Sequence, residues 1–209
     1  MYGLRKLCKN AHCGEPGRAR LEWVTADSGI VAPDRIAQPT WPFSEFICDP
    51  RSLPAEWQTA ATPACLRLSG FAQIRDRIYA SAADLSAALQ SGTVVASDIV
   101  EGLGFFTAVV RERGEILFLN DLMGLEHIYI YEGPGGPIVG NRIPLVAEHL
   151  ARSGVARQLD VIYAATMLSS QRPLFRQAHA HGLALAGLSL VPFDHYLAWR
   201  NGRLERRAK

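Results

Sequence analysis

GLGFFTAVVRERGEILFLNDLMGLEHIYIY, residues Gly102–Tyr131, sets three apolar runs between two polar breaks. Phe105–Val110 is apolar and rich in β-branched residues, Arg111–Gly114 is a charged turn, and Glu115–Asn120 reads as a buried strand. Asp121–Gly124 makes the second break, and His127–Tyr131 is a third short strand of Ile and Tyr. The stretch therefore predicts a three-stranded antiparallel meander whose apolar faces the rest of the chain must cover.

The flanking segments supply candidates for that cover. Leu21–Thr25 and Ala64–Leu68 read as strands, the second ending at Ser69-Gly70, while the four prolines of residues 41–65 mark irregular chain pinned by Trp41, Phe46 and Trp57. Ile74–Gln90 has helical character, with Ser81 as N-cap, Asp84 at the third helical position, and Leu85, Ala88 and Leu89 on one face. Beyond Tyr131 come the tight loop Gly133–Pro137, a short strand Ile138–Asn141, and a helix Pro144–Arg152 that turns Leu145, Val146, His149 and Leu150 inward. A second helix is expected over Leu159–Leu168, with Asp160 favouring its N-terminal dipole. Strands Leu188–Val191 and His195–Trp199, and the hairpin turn Asn201-Gly202, complete an α+β pattern of two sheets with helices outside.

Composition narrows the function classes. The 209 residues fit one domain with a real core, and 48% apolar against 20% charged residues argues against disorder. A net charge of +2 gives no field to draw nucleic acid or an anionic membrane, and the basic stretch Arg203–Lys209 reads as a solvated terminus. Leu183–Val191, the longest apolar run, falls far short of the ~20 residues that cross a bilayer, and no signal peptide is visible. The expectation is a soluble, cytoplasmic protein with reduced cysteines at 8, 13, 48 and 65. Cys8, His12 and Cys13 lack a second ligand pair for zinc, His179 and His181 lack a third ligand, and no phosphate-binding Gly-rich loop occurs. No cofactor is expected.

Read in order, several pieces resemble the glutaminase half of asparagine synthetase-like proteins, the class II glutamine amidotransferases. They are Gly104-Phe105-Phe106-Thr107-Ala108, the turn Asp121-Leu122-Met123-Gly124, Tyr129–Tyr131, Gly135-Gly136-Pro137-Ile138-Val139, and Leu190–Leu197. The resemblance covers residues 66–205 and the first four residues, and an unrelated antiparallel meander is the alternative. It implies the four-layer αββα sandwich of N-terminal-nucleophile hydrolases, as a single domain over residues 1–209 without the synthetase half.

The same resemblance bears on chemistry. Glutamine hydrolysis in that family uses an N-terminal cysteine whose own α-amine is the base. Here Met1-Tyr2-Gly3-Leu4 puts Tyr2 at the nucleophile position, and a phenol of pKa ≈ 10 is a poor nucleophile at neutral pH. Ser69-Gly70-Phe71 stands where the family has an oxyanion-forming Asn-Gly, so one amide donor is replaced, a loss of ~3 kcal/mol in barrier. The family's Ser-Asp-x-Glu, whose Asp grips the substrate amine, has two candidate matches: Ser81-Ala82-Ala83-Asp84, at the right distance from Gly104 but without that Asp, and Ser97-Asp98, which has the Asp but lies too close to Gly104. Arg35 is the candidate for the substrate-carboxylate arginine, while Asp121 is expected to hold its turn by an Asx bond. The expectation is an inactive glutaminase-like domain, a scaffold or partner for an ATP-dependent amide-forming synthetase, with homo-oligomerisation left open. The alternatives are an active amidotransferase subunit with Cys13 exposed by processing, which Pro16 disfavours on a central strand, and a binding protein reusing the old pocket.

Overall fold

The computed structural model describes residues 24–25, 29–30, 45–169 and 183–209. A two-residue pair, β1 (Val24–Thr25) with β2 (Gly29–Ile30), stands by itself. Then follow β3 (Ile47–Cys48), α1 (Ala55–Thr59), β4 (Ala64–Ile74), β5 (Arg77–Tyr79), α2 (Ala82–Gln90) and α3 (Ala96–Val100). The central hairpin is β6 (Leu103–Glu112) and β7 (Glu115–Asn120), and after it come β8 (Tyr129–Tyr131), β9 (Ile138–Gly140), α4 (Ile143–Arg152) and α5 (Val161–Ser169). β10 (Leu188–Leu190), β11 (His195–Arg200) and β12 (Arg203–Ala208) close the chain. The result is a mixed α+β fold with two main antiparallel sheets, six strands in the order β12-β11-β7-β6-β4-β5 and four in the order β10-β8-β9-β3.

Strand alternation sorts the apolar residues into three clusters. Phe106, Ala108 and Val110 of β6 and Leu117 and Leu119 of β7 pack with Leu85, Leu89 and Ile99 of α2 and α3. The residues between them in sequence, Val109, Ile116 and Phe118, point the other way and meet Phe46, Ile130 and Val139 from the four-stranded sheet. Ile47, Tyr131, Ile138 and Leu188 on that sheet's far side pack with Leu145, Val146 and Leu150 of α4. One sheet face thus lies under α2 and α3, the two sheets share a core, and α4 covers the remaining face.

Local chemistry explains the element ends. Ser81 caps α2, its Oγ accepting from the Asp84 N–H at 3.1 Å and donating to the Asp84 carboxylate at 2.8 Å, as the sequence predicts. Ser81→Ala should therefore cost about 1 kcal/mol in urea unfolding, and Ser81→Gly only a few tenths. Asp160 accepts from the Tyr163 N–H at 2.8 Å at the start of α5. Both long hairpins turn on two residues of positive φ, Arg113-Gly114 and Asn201-Gly202, whose twist matches the strands they join. Among the described residues, no helix is long and apolar enough to cross a membrane.

Four expectations need correction. The third strand of the opening stretch does not extend the meander: β8 crosses to the other sheet, because the free side of β7 is taken by β11 through Leu197 opposite Phe118. β4 does not stop at Ser69-Gly70 but runs on to Ile74. Ile74–Tyr79 is a hairpin rather than helix, since Arg75 takes a φ of 56° and Ala72 pairs with Tyr79; Ile74 and Tyr79 face the same cluster as Leu85, which mimics a helical repeat. The basic C-terminal stretch is no solvated tail but the edge strand β12, paired with β11 along its whole length. The short helices α1 and α3 carry too few residues for a period to show in sequence.

Candidate functional site

A row of polar side chains crosses the six-stranded sheet on the face turned toward the other sheet. Ser69 on β4 lies opposite Thr107 on β6, and Thr107 lies opposite Asn120 on β7. All three are buried, as are Asp121 and Asn141 beside them. The facing is set by alternation: Leu68, Ala72 and Ile74 all belong to the helix-side cluster, so Ser69 points the other way. Asn141, just past β9, ties the two sheets: its Oδ1 accepts from the Phe46 N–H at 2.8 Å and its Nδ2 makes a long contact of 3.4 Å to Thr107 Oγ1. Asn120 donates to the Glu126 carbonyl at 3.3 Å, while its Oδ1 is buried and accepts no hydrogen bond among the described residues.

Asp121 organises the loop that leads away from this row. Its backbone N–H donates to the Phe106 carbonyl at 3.1 Å, and its carboxylate accepts from the N–H groups of Leu125 and Glu126 at 2.9 and 2.8 Å. The Asx bond expected of this residue is thus replaced by a longer reach that holds the whole loop. Arg142 fastens the loop's far end, donating to Glu126 at 3.0 Å and to the Asn141 carbonyl at 3.0 Å.

Lys209 completes the arrangement, and sequence reading missed it. Its ammonium donates to the carbonyls of Asn120 and Asp121 at 2.8 and 2.9 Å, and its backbone N–H donates to Asp194 at 2.8 Å. The only sequence signal was an apolar-spaced basic stretch after Asn201-Gly202, which fits a strand as well as a tail. Burial pulls the Lys209 pKa down to about 8, against the opposing pull of Asp121 and Asp194. An unfolded lysine titrates near ~10.4, so between these values the unfolded chain binds the extra proton. Below pH ~8 both states are protonated and the desolvation penalty stands in full. The expected result is that stability rises from pH 8 toward pH 10 in the parent protein relative to Lys209→Met, read from urea midpoints of both proteins.

The residues singled out from sequence separate into three groups. Ser69 and Gly70 sit at the buried row, Gly70 with a φ of 85° opposite Phe106. Asp84 and Asp98 are not brought to it. Asp84 is exposed at the start of α2, and Asp98 accepts from the Val95 N–H at 2.9 Å at the start of α3 while pairing with Arg75 at 2.9 Å. Both helices pack on the opposite face of the sheet from Ser69. Tyr2, Gly3, Cys13 and Arg35 lie outside the described residues, as do Cys8, His12, His179 and His181.

Chemically, the row offers hydroxyls and amides rather than a nucleophile with its base. Cys48 sits in the core between the sheets, and burial, reinforced by Asp49, pushes its thiol far above the ordinary range. Cys65 faces the helix layer, and burial raises it to about 12 despite a hydrogen bond to Arg67. Neither forms a thiolate near neutral pH, and the thiolate is the reactive form. Among the described residues, no group of three His, Cys, Asp or Glu side chains could hold a metal ion. No protein-family model matches the chain, and no curated protein matches it.

Proposed function

We propose that the chain is a glutaminase-like domain of the class II amidotransferase kind that has lost its nucleophile, and that it serves as scaffold or partner to an ATP-dependent, amide-forming ligase. In this reading the fold is the αββα sandwich of N-terminal-nucleophile hydrolases. The layering supports it: α2 and α3, the six-stranded sheet, the four-stranded sheet and α4 follow one another through three apolar clusters. The observation that carries the loss of activity is Ser69, buried between the sheets where the resemblance calls for a carboxamide. Its hydroxyl cannot present the two N–H donors of an amide to a developing oxyanion. Tyr2 in the nucleophile position adds a second, independent loss. The test is glutamine hydrolysis by the purified chain. The expected outcome is glutamate release no faster than in buffer; steady glutamate release that scales with protein defeats the proposal.

A further inference from the structure

Four strands end the two sheets, and they are unequal. β3 has two residues, β5 and β10 have three each, and β12 has six. Short edges offer little to pair with, whereas the six-residue edge, unpaired on its outer side among the described residues, presents a row of open backbone groups. Arg200 and Arg203 close the Asn201-Gly202 turn, so alternation along the ladder turns the N–H and C=O of Leu204, Arg206 and Ala208 outward.

The same edge is tied to the sheet and charged. Arg207 donates to Glu115 at 2.8 and 3.0 Å, and Lys209 anchors the strand end on Asn120 and Asp121. Arg207 is compensated further by Glu205 at 2.8 Å, and Arg200 by Glu115 at 3.3 Å. Arg203 and Arg206 are exposed and have no ion-pair partner among the described residues. Beside the strand lies a groove of about 360 Å³ lined by Ile130, Glu132, Leu197, Leu204, Glu205 and Arg206.

We propose that the outer edge of β12 is a docking surface for an extended, acidic segment of another protein, added as a seventh strand. Backbone pairing supplies the affinity, and Arg203 and Arg206, without ion-pair partners among the described residues, select carboxylates. The surface owes nothing to the glutaminase-like reading, so either can fail alone.

The test uses the whole chain and three seven-residue peptides: one of Val, Thr and Glu, one with Lys for Glu, and one with alternate backbone nitrogens methylated. Binding is followed by amide hydrogen exchange at Leu204 and Arg206. The acidic peptide should bind and slow both amides, while the other two bind about tenfold more weakly or less. The double variant Arg203→Glu with Arg206→Glu, both on the surface, should reverse the preference toward the Lys peptide. Absence of binding, equal binding of the Glu and Lys peptides, protection at other strands, or self-association that slows the same amides would each overturn the proposal.

Discussion

Asp121→Ala should destabilise the protein by about 3–5 kcal/mol, the loss expected when one member of a buried charged network is removed. The side chain has no exposure to solvent, and its two oxygens each serve one N–H, those of Leu125 and Glu126. Alanine removes two part-buried hydrogen bonds to a charged acceptor, at about 1.5–3 kcal/mol apiece. It also strips the negative charge that offsets the half-buried Lys209 ammonium. Asp121→Asn keeps one acceptor oxygen but turns an NH2 toward the second donor, so about half the loss remains. Urea unfolding of the two variants separates the contributions. A cost below 1 kcal/mol for the alanine variant would mean that the loop from Asp121 to Glu126 does not depend on its carboxylate.

Gly104→Ala should cost about 3 kcal/mol or more, through backbone strain added to a close contact. Gly104 opens the central β6 with a φ of 120°, a value that residues with a Cβ rarely adopt. A methyl there would stand 2.5 Å from the Phe71 carbonyl oxygen and 3.4 Å from its ring. The carbonyl belongs to β4, paired with β6 over most of its length, so neither partner can move without disturbing the ladder. Gly92 serves as the control: its φ is 73°, yet a methyl there meets nothing within 4 Å. Gly92→Ala should lose only the conformational part, about 1 kcal/mol. Equal losses at the two positions would show that the approach of Phe71 contributes nothing.

Features set by neighbours in sequence were legible before any coordinates. The β6–β7 hairpin follows from two apolar runs around Arg113-Gly114, the β11–β12 turn from Asn201-Gly202, and the start of α2 from Ser81 and Asp84. What depends on distant pairing was not. Nothing near Tyr129 says that β11 will occupy the side of β7 that a meander needs. Nothing near Lys209 says that its ammonium will find two carbonyls on the Asp121 loop.

The candidate site divides the same way. Alternation along β4 is enough to turn Ser69 away from Leu68 and Ala72, but only the second sheet, with Asn141 and Phe46, makes that side buried. Asp84 and Asp98 could each pass for a substrate-binding carboxylate in sequence. Three-dimensionally both belong to helix N-termini: Asp98 accepts from the Val95 N–H, and Asp84 accepts from the Ser81 hydroxyl whose oxygen caps the Asp84 N–H. Asn120 gave no signal, because one polar residue at the end of an apolar strand is ordinary.

The central proposal is that the chain is a glutaminase-like domain holding no reactive nucleophile for glutamine. The most direct measurement is the intact mass of the protein after prolonged incubation with a diazoketone analogue of glutamine, which alkylates the nucleophile of a working glutaminase. The account predicts an unmodified chain that retains residues 1–13. A shortened chain beginning at Cys13 and carrying one equivalent of the analogue would contradict it.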